Sequence, residues 1–132
     1  MKIGIKNTIK KTVTEINTAK AIGSGTLEVF ATPAMIALIE ETAWKSVQQY
    51  LEEGQSTVGS SLDIKHISPT PLGNSVCCTT ELIEIDGKKL VFKAEVVDNK
   101  SVIGTGLHTR YIIDKKNSWT KQYLNQQLYN II

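Results

Sequence analysis

The stretch FATPAMIALIEETAWKSVQQYL, Phe30 to Leu51, decides how the rest of the chain is read. It carries its own helix start and stop signals and one carboxylate on its apolar side. Thr32 is a good N-cap, and Pro33 suits the first helical position, where its missing N–H costs nothing. At about 100° per residue, Ile36, Ile39, Ala43, Val47, Tyr50 and Leu51 fall on one arc, and Glu40 lies inside it. Glu41 turns toward Lys45, Gln48 and Glu52, so the two adjacent glutamates are expected to have different surroundings. Gly54 is the expected stop.

Composition bounds what such a helix belongs to. A chain of 132 residues with 41% hydrophobic content supports one domain, spanning 1–132, around one core. A net charge of +2, dispersed without a Lys/Arg block, argues against nucleic-acid binding. No apolar run approaches the roughly 20 residues of a membrane span. Met1 to Lys11 has lysines but no apolar core of an export signal, so we expect a cytoplasmic protein with no membrane partner. Cys77 and Cys78 are adjacent, which suits neither an ordinary disulfide nor a zinc knuckle, and reduced thiols are expected. His66 and His108 on separate strands make no recognisable ligand set with them, so no metal site is expected. Gly23 with Gly25, and Gly104 with Gly106, lack the strand-to-helix setting of a phosphate cradle.

Around the helix the pattern is extended. Lys11 to Glu15 predicts a short strand. Thr57 to Ser68 alternates, with Val58, Leu62, Ile64 and His66 on one face and Asp63 and Lys65 on the other. Packed against the helix, that face brings His66 and Glu40 to the same internal surface. Ser75 to Ile85 and Leu90 to Val97 are joined by a turn at Asp86-Gly87, and the second puts Leu90, Phe92, Ala94 and Val96 together. In Val102 to Asp114, Ile103, Leu107, Tyr111 and Ile113 share a side. His108 and Arg110 share the other, read as a solvated face. These elements predict an α+β fold, an antiparallel sheet with the helix laid across one face. Lys115 to Ile132 repeats Leu124, Leu128 and Ile131 at helical spacing beside Trp119 and Tyr123, which predicts a short C-terminal docking helix.

The segments Leu27–Ala43, Ser56–Gly73 and Ile103–Asp114, with a Thr, a Glu eight residues later and a His in the following strand, resemble the hotdog-fold thioesterases of the fluoroacetyl-CoA thioesterase-like family. The resemblance implies a curved antiparallel sheet wrapped around one long helix, a homodimer, and hydrolysis of an acyl-CoA at the subunit interface. CoA is then part of the substrate, and no cofactor is implied. Thr32 matches the family's catalytic threonine, Glu40 its helix carboxylate and His66 its strand histidine. Gly59 matches the glycine near the thioester carbonyl and Arg110 the basic residue of the last strand, both grouped with Phe30 as substrate-binding. The lead-in AIGSGTLEVF is poorer in aromatic side chains than that of the specialised enzyme, so weak fluoroacetyl preference is expected.

Each candidate also has a plainer role: Thr32 as a helix cap, Glu40 as the edge of the helix stripe, His66 as a satisfied core residue, and Arg110 as part of a solvated face, where it could instead position CoA phosphate or pair with an acidic residue. A poorly solvated carboxylate suits general-base or nucleophilic work on a thioester, with Thr32 and His66 positioning groups and moving protons. A Glu and a His also fit a hydratase or dehydratase acting on an acyl thioester, and the same residues could serve a non-catalytic acyl-CoA-binding module. Thr32 and Glu40 are about 12 Å apart along a helix axis, too far to touch. A substrate between them, or a residue from a second subunit, would have to bridge the gap.

Overall fold

The computed structural model describes residues 1–116 together with Gln126 and Gln127. The proposed docking helix over 115–132 therefore lies almost wholly outside the described residues. Within them the order is β1 (Lys6–Thr12), a short α1 (Ala19–Ile22), α2 (Thr32–Val47) ending in a 3-10 turn (Gln48–Tyr50), then β2 (Gln55–His66), β3 (Ser75–Asp86), β4 (Lys89–Val97) and β5 (Val102–Asp114). The strands form one antiparallel sheet in the order β1-β3-β4-β5-β2, with α2 across one face. The first strand lies N-terminal to the expected Lys11–Glu15, and its partner across the ladder is β3.

The β3–β4 hairpin closes through Gly87 and Lys88 between paired Asp86 and Lys89. Gly87 has φ +59° and Lys88 has no positive φ, the geometry of a type II′ turn, whose twist matches that of the strands.

The core lies between α2 and the sheet. Met35, Leu38 and Ile39 pack with Phe30, Val76, Val96 and Ile103 near the helix start, and Ala43 and Val47 pack with Leu82, Leu90 and Phe92 near its end. This stripe is turned from the expected one: Met35, Leu38, Thr42 and Ser46 are buried, whereas Tyr50 is exposed. Two polar residues are tolerated there because each hydroxyl bonds back within the helix, Thr42 Oγ1 to the Leu38 carbonyl at 2.7 Å and Ser46 Oγ to the Ala43 carbonyl at 2.6 Å.

Two irregularities change which side chains face the helix. The β2–β5 register shifts between Gly59 and Ser61, and the β4–β5 register shifts between Val96 and Val97, opposite the Val102–Gly104 step. An extra residue on one strand moves every later side chain to the other face. Val58 accordingly points outward while Thr57 is buried, and Leu107 and Tyr111 face outward while His108 and Arg110 face the helix. The expectation of a solvated face for His108 and Arg110 is thus reversed: they are 0% and 5% exposed.

Candidate functional site

Thr32 is the first residue of α2, not its cap. The cap position belongs to Ala31, which makes no side-chain capping bond. Pro33 follows at the start of the helix, and the Thr32 hydroxyl is free to reach sideways to the end of β2. There Thr32 Oγ1 and His66 Nδ1 lie 2.8 Å apart. His66 Nε2 is buried and has no hydrogen-bond partner among the described residues. Burial lowers the imidazole below its ordinary range, partly opposed by the Ser68 backbone. A cavity of about 280 Å³ opens at this pair, lined also by Ser24, Val29 and Phe30. Phe30 is itself 2% exposed, so it is a wall of the core that shows little surface to a ligand.

Glu40 lies two turns further along α2 and does not meet His66, as the alternation of β2 had led us to expect. Its Oε2 is 3.4 Å from Arg110 Nη1. It also lies over Gly59, close enough that a Cβ there would be 2.5 Å away. Its side chain is 38% exposed, more than the 28% of Glu41, so burial does not distinguish the two. Their partners do: Glu41 pairs with Lys45 at 2.6 Å and Lys11 at 3.4 Å on the β1 side of the helix. Lys45 first, then Lys11, hold the Glu41 carboxyl below its ordinary range.

Arg110 is fixed from several sides. Its Nε donates to Thr57 Oγ1 at 2.9 Å, Nη2 to the Thr57 carbonyl at 3.1 Å, and Nη1 to Glu40 and to His108 Nε2, the latter at 3.1 Å. His108 Nδ1 lies 2.9 Å from the Ser61 carbonyl. Burial first, and the facing Arg110 charge after it, keep the His108 imidazole below its ordinary range, with the Ser61 backbone and Glu40 opposing. Neither Thr57 nor His108 was singled out for this site from the sequence.

The described residues thus hold two half-sites on one helix face edge. One is a hydroxyl–imidazole pair at the first turn, and the other is a carboxylate clamped to a buried guanidinium over a glycine. The first can relay a proton. The second packs a carboxylate and a guanidinium over a strand position with no side chain, in the space a Cβ would need. Among the described residues no group of three or more His, Cys, Asp or Glu is arranged to hold a metal ion. No described helix is long and apolar enough to cross a membrane.

Comparison with known proteins gives this geometry a family. The family model of the fluoroacetyl-CoA-specific thioesterase matches residues 13–116. A fluoroacetyl-CoA thioesterase of Streptantibioticus cattleyicolor is 34% identical over 97 residues, covering 72% of this chain and 70% of that protein. The crystal structure of a mutant fluoroacetyl-CoA-specific thioesterase with fluoroacetate and CoA is similar at a TM-score of 0.82 and 29% identity, covering 86% of this chain and 96% of that one. A thioesterase superfamily member from Thermus thermophilus, at 22% identity and TM-score 0.83, covers 98% of this chain and 92% of its own and shows the shared fold. The chain belongs to the fluoroacetyl-CoA-specific thioesterase family, and its fold is the hotdog.

Proposed function

We propose, from that membership, that the protein hydrolyses a small acyl-CoA to the free acid and CoA, with Glu40 as the reacting carboxylate. The observation that carries this reading is the Thr32–His66 pair at 2.8 Å on the helix that also presents Glu40. Glu40 deprotonates the water that attacks the thioester carbonyl, or attacks the carbonyl itself, expelling thiolate and forming an anhydride that water then cleaves. The Gly59 backbone N–H helps polarise the carbonyl oxygen, and Arg110 holds the carboxylate in place. Thr32 donates its hydroxyl proton to His66 Nδ1. That leaves the proton of a neutral imidazole on Nε2, which reaches a departing thiolate once the ring turns or the side chains covering it move, since Nε2 is buried.

We infer further that the working form is a homodimer in a reducing cytoplasm. The outermost strand β2 carries both Gly59 and His66. A second copy laid against its open edge would bring groups into the roughly 12 Å between Thr32 and Glu40. Cys77 and Cys78 are free thiols, as a reducing compartment keeps them.

The test is thiol release from short and medium acyl-CoAs by wild type, Glu40→Gln and Glu41→Gln, with sedimentation of each. Turnover is expected to fall by about 10²-fold or more in Glu40→Gln. It should stay near wild type in Glu41→Gln, which loses only surface ion pairs worth under about 1 kcal/mol. Equal losses in the two variants, or a monomer that turns over acyl-CoA, would contradict the reading.

A further inference from the structure

His108 is buried completely in the middle of the site and takes no part in the reaction proposed above. Its two ring nitrogens can nevertheless be assigned. A carbonyl oxygen only accepts, so Nδ1, 2.9 Å from the Ser61 carbonyl, carries a hydrogen. A guanidinium only donates, so Nε2, 3.1 Å from Arg110 Nη1, is a bare acceptor. The imidazole is therefore a neutral spacer between the β2 backbone and the guanidinium, its ring against that of Phe92 at 6.3 Å between centroids.

The choice of a neutral acceptor matters to the carboxylate. Thr57 takes the Nε hydrogen and one of the two Nη2 hydrogens of Arg110. Nη1 alone faces both His108 and Glu40. A carboxylate at position 108 would neutralise Arg110 and compete with Glu40, and an apolar residue would leave an Nη1–H buried without a partner. An imidazole fixed in this tautomer satisfies one Nη1–H and leaves the positive charge to Glu40.

We propose that His108 is a positioning residue: by accepting one Nη1–H of Arg110 it aims the other at Glu40 Oε2, and so sets the direction in which the carboxylate presents its second oxygen to the thioester. The proposal rests on Glu40 being the reacting carboxylate. Its action runs through Arg110, and it touches no substrate.

The test compares His108→Phe, which fills the space without an acceptor, with His108→Gln, long enough to keep an acceptor near Nη1, and His108→Asn, which reaches Ser61 but stops short of Arg110. Two readouts are taken on the full chain: kcat and KM for thiol release from acetyl-CoA, and the Arg110 Nη1–H resonance in nitrogen-edited NMR, since Nη1 is the nitrogen that faces His108. The Phe and Asn variants should lose about tenfold to a hundredfold in kcat, with KM little changed, and should lose the resonance. The Gln variant should recover both. If the Phe variant does not fold, the Asn and Gln pair decides. Wild-type kcat and resonance in the Phe variant, or Asn and Gln behaving alike, would overturn the proposal. If the wild type releases no thiol from any acyl-CoA, the thioesterase reading fails, while the resonance still decides whether His108 fixes Arg110.

Discussion

Adding one methyl group at Gly59 isolates the geometry of the carboxylate from the stability of the fold. An alanine Cβ at that position would lie 2.5 Å from Glu40 Oε2, 3.2 Å from Arg110 Nη1 and 3.4 Å from His108 Cε1. The guanidinium is anchored and the imidazole is buried, so the carboxylate, at the free end of a flexible side chain, is what moves. It must retreat by about 1 Å to regain ordinary contact. The Arg110–Glu40 contact is already 3.4 Å, and such a retreat takes it out of hydrogen-bond reach. A displacement of about 1 Å in a reacting group costs roughly 10²-fold in rate, or about 2.7 kcal/mol of barrier. The stability loss should stay below that of a core-crowding change, because Gly59 is not among the glycines with positive φ and Arg110 keeps its bonds to Thr57 and His108 when Glu40 retreats. Alanine also restricts the unfolded chain, which offsets part of any loss. Gly104→Ala is the matched control. Its Cβ would meet Met35 Sδ at 2.6 Å and Cε at 2.8 Å, inside a side chain that is 0% exposed. Crowding a packed core costs about 1–3 kcal/mol, so Gly104→Ala should unfold earlier in urea yet keep its turnover per folded molecule. The assay is acetyl-CoA thiol release alongside urea unfolding for both variants. Gly59→Ala with near-normal kcat, or with a stability loss as large as that of Gly104→Ala, would refute the placement of Glu40 over that strand.

Two further outcomes follow from the same geometry. Burial holds both His66 and His108 below the ordinary 6.5, so between the folded and unfolded values the unfolded chain binds more protons. Stability should therefore fall as pH drops below about 6.5, and this contribution should flatten once the folded values are passed. Asp98 and Glu41 have lowered values, so their contribution is kept above the ordinary carboxyl range and lost only in stronger acid. A urea midpoint that does not move between pH 7.5 and 5 would contradict the histidine placements. Acyl selectivity should be modest: α1 is four residues long and buries none of them, and among the described lead-in residues lining the Thr32–His66 cavity, Ser24 and Val29 are small or aliphatic and the aromatic Phe30 is itself buried in the core. Steady-state comparison of acetyl-, fluoroacetyl- and hexanoyl-CoA should show less than about a hundredfold preference for fluoroacetyl, equivalent to about 2.7 kcal/mol. A larger preference would refute the open-pocket reading.

What could be read from the residues alone follows from how local each signal is. The helix was readable because Pro33 and the apolar recurrence act within a few residues, and the β3–β4 hairpin because Gly87 alone supplies the positive φ its turn needs. Thr32 shows where such local reasoning stops. A hydroxyl at a helix start satisfies the same sequence rule whether it caps its own backbone or turns to a histidine 34 residues away. Only the tertiary approach of β2 decides between them.

The larger failure concerns strand faces, and it has one cause. A period of two assumes an unbroken ladder through β2 and β5, but each strand meets an irregular step in its pairing. Unbroken alternation groups Val58 with Leu62 and His66. It also groups Ile103 with Leu107 and Tyr111, which puts His108 and Arg110 on the opposite, solvated face. Alternation within β5 could not expose the error, because both of its faces offer plausible residues. The neighbouring strand could have. Leu90, Phe92 and Ala94 were read as one inward face of β4, and in the ladder Leu90 stands opposite Arg110, Phe92 opposite His108 and Ala94 opposite Gly106. Directly paired residues share a face, so once the extra β5 residue between the Val97–Val102 and Val96–Gly104 pairs is counted, the inward face of β4 makes His108 and Arg110 neighbours of the core. A buried arginine needs a carboxylate and fixed acceptors, and Glu40 on the facing helix is the carboxylate that such a count would have called for.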